Sequence, residues 1–277
     1  MEFSIKRVWL LAKKQWVENR KLYLLGALAL IGIMSALILF NVANGGISEE
    51  TQKVCLFGGI LIAGSIFTST ILSQFSNKIN GIEALMLPAS TLEKVVVALV
   101  YSLLLFPLVY VLLIYPLLIF AHFLDATIVG NLTNLYQFSF TGEEKGLVVV
   151  FIFLQSFFLL FSVVFRRYIF LKAVILACGL SFCLVFLNNF FGKKLVQDVQ
   201  PERVGYLKGI QGVEKDDTFY FRGVDLIGPM NFGSSKNQRS FKVTLPDWQA
   251  NLFQVIKYCL IPFFWLIIWF RLREMEL

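Results

Sequence analysis

The chain has 277 residues, of which 57% are hydrophobic and 16% charged, with 29 Phe and a formal net charge of +7. A mean hydropathy of +0.73 excludes a water-soluble enzyme or binding module of ordinary composition, and the chain reads as an integral membrane protein. Its positive charge forms no basic patch of the kind that nucleic-acid binding requires.

Ahead of the first apolar run, Ile5, Val8, Trp9, Ala12 and Trp16 recur at helical spacing on one stripe, with Lys6, Lys13 and Arg20 flanking it and Lys14 opposite. This predicts an amphipathic helix over 1–21 in the inner membrane interface, with Trp9 and Trp16 at headgroup level and the lysines toward anionic lipid. A passive anchor accounts for the pattern, and so does an elbow helix that also touches a cytoplasmic partner. The apolar run that follows is longer than the roughly 7–15 residues of a signal-peptide core, and its polar lead is too long, so it is expected to be retained as a span.

Apolar runs occupy 22–42, 54–72, 95–120, 147–164, 170–191 and 253–270. A hydrocarbon core of about 30 Å takes roughly 20 helical residues, and unpaired backbone groups are not tolerated in lipid, so each run is expected to be a helix. The expected fold is all-α: six transmembrane helices, with the first five in 22–191 and the sixth opening 253–277. Gly58, Gly59 and Gly64, with Ala63 and Ser65, supply small residues for close helix approach in the second span, and Pro107, Pro116 and Pro262 are expected to kink theirs. The four cysteines, Cys55, Cys178, Cys183 and Cys259, lie in or beside spans without zinc-type spacing and are expected to be buried thiols.

Between the second and third spans, 79–86 mixes apolar residues with Glu83 in a short amphipathic turn that Pro88 stops. Ser90-Thr-Leu-Glu93 is then a capping-box pattern opening the third span. Lys and Arg cluster before span one, in this connection, in the turn holding Arg166 and Arg167, and after span six. By the positive-inside rule both termini and this connection are therefore cytoplasmic, and 192–252 is extracytoplasmic. In that external segment 218–223 and 240–245 alternate like two strands of a hairpin, separated by 228–237, and Asp247 is placed to cap the helix entering span six.

This layout resembles the membrane subunits of ATP-binding cassette exporters of the ABC-2 type, particularly bacterial permeases. The most specific local piece is Leu87-Pro-Ala-Ser90 followed by Glu93-Lys94, which is similar to a pattern of such permeases. The resemblance implies that 80–87 is the coupling helix that docks in a groove of a separate ATPase subunit. Asn80, Ile82, Glu83, Leu85, Met86 and Leu87 would form it, with Ile82, Leu85 and Met86 as apolar anchors, and Ser90, Glu93 and Lys94 would cap and support its base. ATP and magnesium would sit on that partner. The permease itself would bind no cofactor and would pair with a second copy or a similar permease in the bacterial cytoplasmic membrane.

No zinc-protease motif, nucleophile elbow or phosphate-binding loop occurs, and His122 is the only histidine. An ion-driven transporter would need ionisable groups near the midplane, whereas no Asp or Glu lies deep in any span. A non-transporting scaffold presenting the external segment is the other alternative. The aromatic, nearly uncharged spans suit a lipidic or amphiphilic cargo.

Overall fold

A computed structural model of the chain describes residues 3–44, 46–72, 89–129, 135–136, 142–165, 167–197, 219–224, 230–234, 240–243 and 247–276. Among them, five helices are long and apolar enough to cross a membrane. They lie in α1 (Ile5–Ala43), α2 (Glu49–Ile71), α3 (Thr91–Thr127), α4 (Gly142–Val164) and α5 (Ile169–Gln197). A further helix, α6 (Asp247–Glu276), contains the sixth apolar run. The molecule is therefore an integral membrane protein by helix length as well as by composition. It divides into two units, one of Met1–Lys172 with Ile261–Leu277 and one of Ala173–Leu260.

In the first unit, α1 is one uninterrupted helix of 39 residues. No break falls near residue 21, where the interfacial helix was expected to give way to the first span. No glycine or proline stands between Ile5 and Leu25 to interrupt the hydrogen-bond ladder. The predicted stripe is split between the core and the outer surface. Ile5, Trp9 and Trp16 are exposed, at 79%, 71% and 46%, while Gln15 is buried and Val8, Leu11 and Ala12 pack on the core. On the inward face Arg7 and Gln15 reach polar partners on α3 and α2.

α3 runs parallel to α1. Ser4 and Arg7 meet Glu93, the Tyr101 hydroxyl donates to the Ala12 carbonyl at 2.7 Å, and Ile38 and Val42 share a cluster with Tyr110, Ile114, Leu118 and Ala121. Both helices thus travel in the same direction, as the first and third of successive alternating spans must.

Three stretches widen to π geometry: Val54–Gly58 in α2, Val100–Leu105 in α3 and Asp125–Val129, which runs on from the end of α3. The middle one precedes Pro107, whose missing N–H and bulky ring disturb the regular ladder of the preceding turn. At the first, the Tyr110 hydroxyl donates to the Cys55 carbonyl at 2.7 Å, so a backbone group within the π stretch finds a partner on α3.

α2 and α4 approach closely at Gly64, where a Cβ would collide with the Gln155 amide. The Thr68 hydroxyl donates to the Gln155 Oε1, and the Trp265 indole on α6 donates to Ser156 Oγ at 2.8 Å. Gln155 and Ser156 therefore join helix to helix. Gly59 lies under Tyr110 and Met34, with no room for a Cβ, whereas a Cβ at Gly58 would meet only Val54, at 3.7 Å. Cys55 is buried, but Cys178, Cys183 and Cys259 are exposed, contrary to expectation; a thiol is small and apolar enough to sit on a helix's outer face.

The second unit contains an antiparallel sheet of β1 (Phe219–Val224), β2 (Met230–Ser234) and β3 (Ser240–Val243), in that order. Phe221, Phe232 and Phe241 are in register, and the ladder shifts between Phe221 and Gly223. The stretch expected to separate two strands is itself the central strand. Met230 and Phe232 alternate with polar or small neighbours there, a short period-two pattern hidden by the flanking glycine and asparagine.

Candidate functional site

A polar constellation that joins distant parts of the sequence lies where α1 and α3 begin. Ser90 opens α3 as its N-cap, accepting at its hydroxyl from the Glu93 N–H at 3.3 Å. Glu93 Oε2 accepts in return from the Ser90 N–H at 2.8 Å. The capping box leaves the other carboxylate oxygen free to reach a second helix. Glu93 Oε1 accepts from the Ser4 backbone N–H at 2.8 Å and from Arg7 Nε at 3.0 Å. Arg7 Nη2 lies 3.0 Å from the same oxygen, forming an ion pair in which Glu93 is 0% exposed and Arg7 34%.

Glu93 is thus fully buried and surrounded by donors, one of them cationic, which is the condition under which a carboxylate can be held away from water. Because the Ser4 N–H is at the start of α1, where helix donors lack intrahelical partners, the carboxylate also caps α1. Lys94 is buried as well, at 6%, and its N–H bonds back to the Ser90 carbonyl at 3.2 Å.

A second contact ties α1 to the end of α2. Gln15 Nε2 donates to the Ile71 carbonyl at 3.4 Å and to the Tyr23 hydroxyl at 3.3 Å. Ile71 and Leu72 then pack with Val95, Ala98 and Tyr101 of α3, Leu159 and Val163 of α4, and Ile268 and Leu272 of α6. The first four turns of α1 therefore contact α2 just before, and α3 just after, residues 73–88.

The predicted coupling residues Asn80, Ile82, Glu83, Leu85, Met86 and Leu87 fall in that connection, in 73–88, and lie outside the described residues. Of the predicted supports, Ser90 and Glu93 come together and Lys94 is next to them; Trp9 and Trp16 lie on the opposite, exposed side of α1. Sequence reasoning missed Ser4, Arg7 and Gln15 as the partners. The signal for Arg7 and Gln15 was present as two polar residues in step with Val8, Leu11 and Ala12 on a helix face, but Arg7 also satisfied the positive-inside pattern and so raised no question.

At the opposite end of the same helix pair, Asp125 is 0% exposed and its Oδ2 accepts from the Ile47 N–H at 3.2 Å. Nearby Gln52 Oε1 accepts from the Tyr136 N–H at 2.8 Å. No group of three or more His, Cys, Asp or Glu side chains able to hold a metal occurs among the described residues. No family model matches the chain, and no curated protein and no solved structure is significantly similar to it.

Proposed function

We propose that this chain is the permease subunit of an ABC-2 type exporter. It would move a lipidic or amphiphilic substrate across a bacterial cytoplasmic membrane with energy from ATP hydrolysis on a separate ATPase subunit, and would work as a dimer of permeases. On this reading the chain is the non-catalytic subunit, and ATP and magnesium belong to the partner. The observation that carries the reading is the attachment of α1 to the residues that flank 73–88 on both sides. Glu93 meets α1 where α3 begins, and the Ile71 carbonyl meets Gln15 where α2 ends. A segment that receives force from a partner must be braced at both ends, or the force is dissipated in bending it. The parallel course of α1 and α3 supports the same topology, with both helices entering from the cytoplasm.

Gentle purification of the tagged full-length chain from its native membrane should recover an ABC-type ATPase. Leu85→Glu should abolish that recovery while leaving the permease monodisperse, because a charge cannot enter an apolar docking groove without desolvation. Failure to recover a nucleotide-binding subunit in several mild detergents favours the scaffold instead. Undiminished ATPase recovery with Leu85→Glu rejects 80–87 as the docking helix.

A further inference from the structure

We propose that a groove between α2, α3 and α4 is a binding site for one acyl chain of a membrane phospholipid. The cavity has a volume of about 580 Å³ and is walled along α3 by Val96, Val100, Pro107 and Val111, with Ile60 of α2 and Phe151 of α4 opposite. From Val96 to Val111 the groove follows the helix for about 22 Å at 1.5 Å per residue. Trp265 is the one lining residue with a polar side-chain atom, and its indole N–H is committed to Ser156 Oγ at 2.8 Å. An ion, a sugar or a peptide finds no partner there, and a water finds none of the two to four it needs.

The open side decides between the apolar occupants. Val100, Leu104, Val111 and Val148 in its wall are 38–65% exposed, so the groove is open along one side to the hydrocarbon that surrounds the spans. A single hydrocarbon chain is slender enough to lie in it. The groove lies among membrane-spanning helices, so hydrocarbon is the surrounding solvent, and wall atoms facing a void would forfeit their dispersion contacts. Lipid tails gain no hydrophobic driving force by leaving other lipid tails, so retention rests on shape and packing. Leu104, 65% exposed and part of the lining, stands at the rim. The site belongs to one chain and requires no ATPase, so it stands or falls separately from the transport reading.

The test uses the full-length chain in phosphatidylethanolamine and phosphatidylglycerol vesicles doped with a phosphatidylcholine carrying a mid-chain diazirine. After irradiation, labelled residues are mapped by mass spectrometry. Val96, Val100, Val111 and Phe151 should be labelled several-fold more than Leu108 and Leu112, which are both 67% exposed on α3 and outside the groove. Leu104→Trp should reduce groove labelling several-fold, and Leu108→Trp should not. Val148→Phe, which fills the groove from α4 instead, provides the same test if Leu104→Trp does not fold. Equal labelling of groove and outer face, labelling insensitive to both filling variants, or cross-links showing that another protein segment fills the groove would each overturn the assignment.

Discussion

Glu93→Gln is close to isosteric and isolates the charge and acceptor capacity of one fully buried carboxylate. In the native protein one oxygen takes the Ser4 N–H at 2.8 Å and Arg7 Nε at 3.0 Å, and the other takes the Ser90 N–H at 2.8 Å. A glutamine has one oxygen, so its amide NH₂ must face either Ser90 or the Ser4 and Arg7 pair, donor against donor. Hydrogen bonds to charged groups contribute about 1.5–3 kcal/mol, and an orphaned buried donor costs about 1–3 kcal/mol. Arg7 is one-third exposed, and water replaces part of what it loses, so the net is about 2 kcal/mol, at the low end of these ranges.

That loss falls on the start of α1 before it falls on the whole fold, because the core layer around Leu159 and Ile268 is untouched. Amide hydrogen exchange in detergent, read by mass spectrometry, should show about 30-fold faster exchange over 8–12, since 1.4 kcal/mol is tenfold. Amides of 151–163 in α4 should be unchanged. Arg7→Met alone leaves the buried carboxylate without its cation, and the double variant should cost less than the sum of the two. Unchanged exchange over 8–12 in Glu93→Gln, or a uniform increase along the chain, would refute the staple.

Three further outcomes test the packing. Gly64→Val should destabilise the protein by about 1–3 kcal/mol through collision with Gln155. Gly26→Ala, where a Cβ meets nothing within 4 Å, should stabilise α1 by up to about 1 kcal/mol; thermal melts in one detergent compare them, and similar shifts would remove the argument for close approach. Tyr110→Phe should cost about 1 kcal/mol, because the Cys55 carbonyl loses its donor within the membrane, and an unchanged melt would mean that another group satisfies it. Nitroxides replacing the exposed Trp9 and Leu37 side chains on an unbroken α1 should give a single narrow distance near 42 Å by dipolar spectroscopy. A split or much shorter distribution would place a hinge between the two halves.

The membrane class, the positions of the long apolar helices and the Ser90 to Glu93 capping motif were legible because each is written locally, in composition, run length or an i, i+3 pair. What was not legible was which side of α1 faces inward. Trp9 and Val8 are equally good members of an apolar stripe, and only the distant Glu93 and Ile71, separated from Arg7 and Gln15 by 86 and 56 positions, decide the rotation. The π stretches were invisible for a related reason. Pro107 marks a disturbed ladder, but whether a helix bends or widens depends on the neighbour across the interface. β2 was missed because its two apolar residues are too few to establish a period by themselves.

The two buried acids give the α1 and α3 pair a design that neither helix displays alone. Glu93 accepts from the Ser4 N–H just before α1, and Asp125 from the Ile47 N–H just after it, so α3 holds α1 by backbone contacts at both ends. Between these points the pairing slips: Tyr101 touches Ala12 through its hydroxyl and Tyr23 through its ring, at 6.2 Å between centroids. Ala12 and Tyr23 are about 16 Å apart along a helix. α1 therefore advances about 16 Å past a single position on α3 there. Such a strap cannot shorten or bend locally without losing hydrogen bonds in lipid, so a displacement of its Glu93 end is carried along α1 toward Asp125. If 73–88 receives force from a partner, α1 is then the element that distributes it.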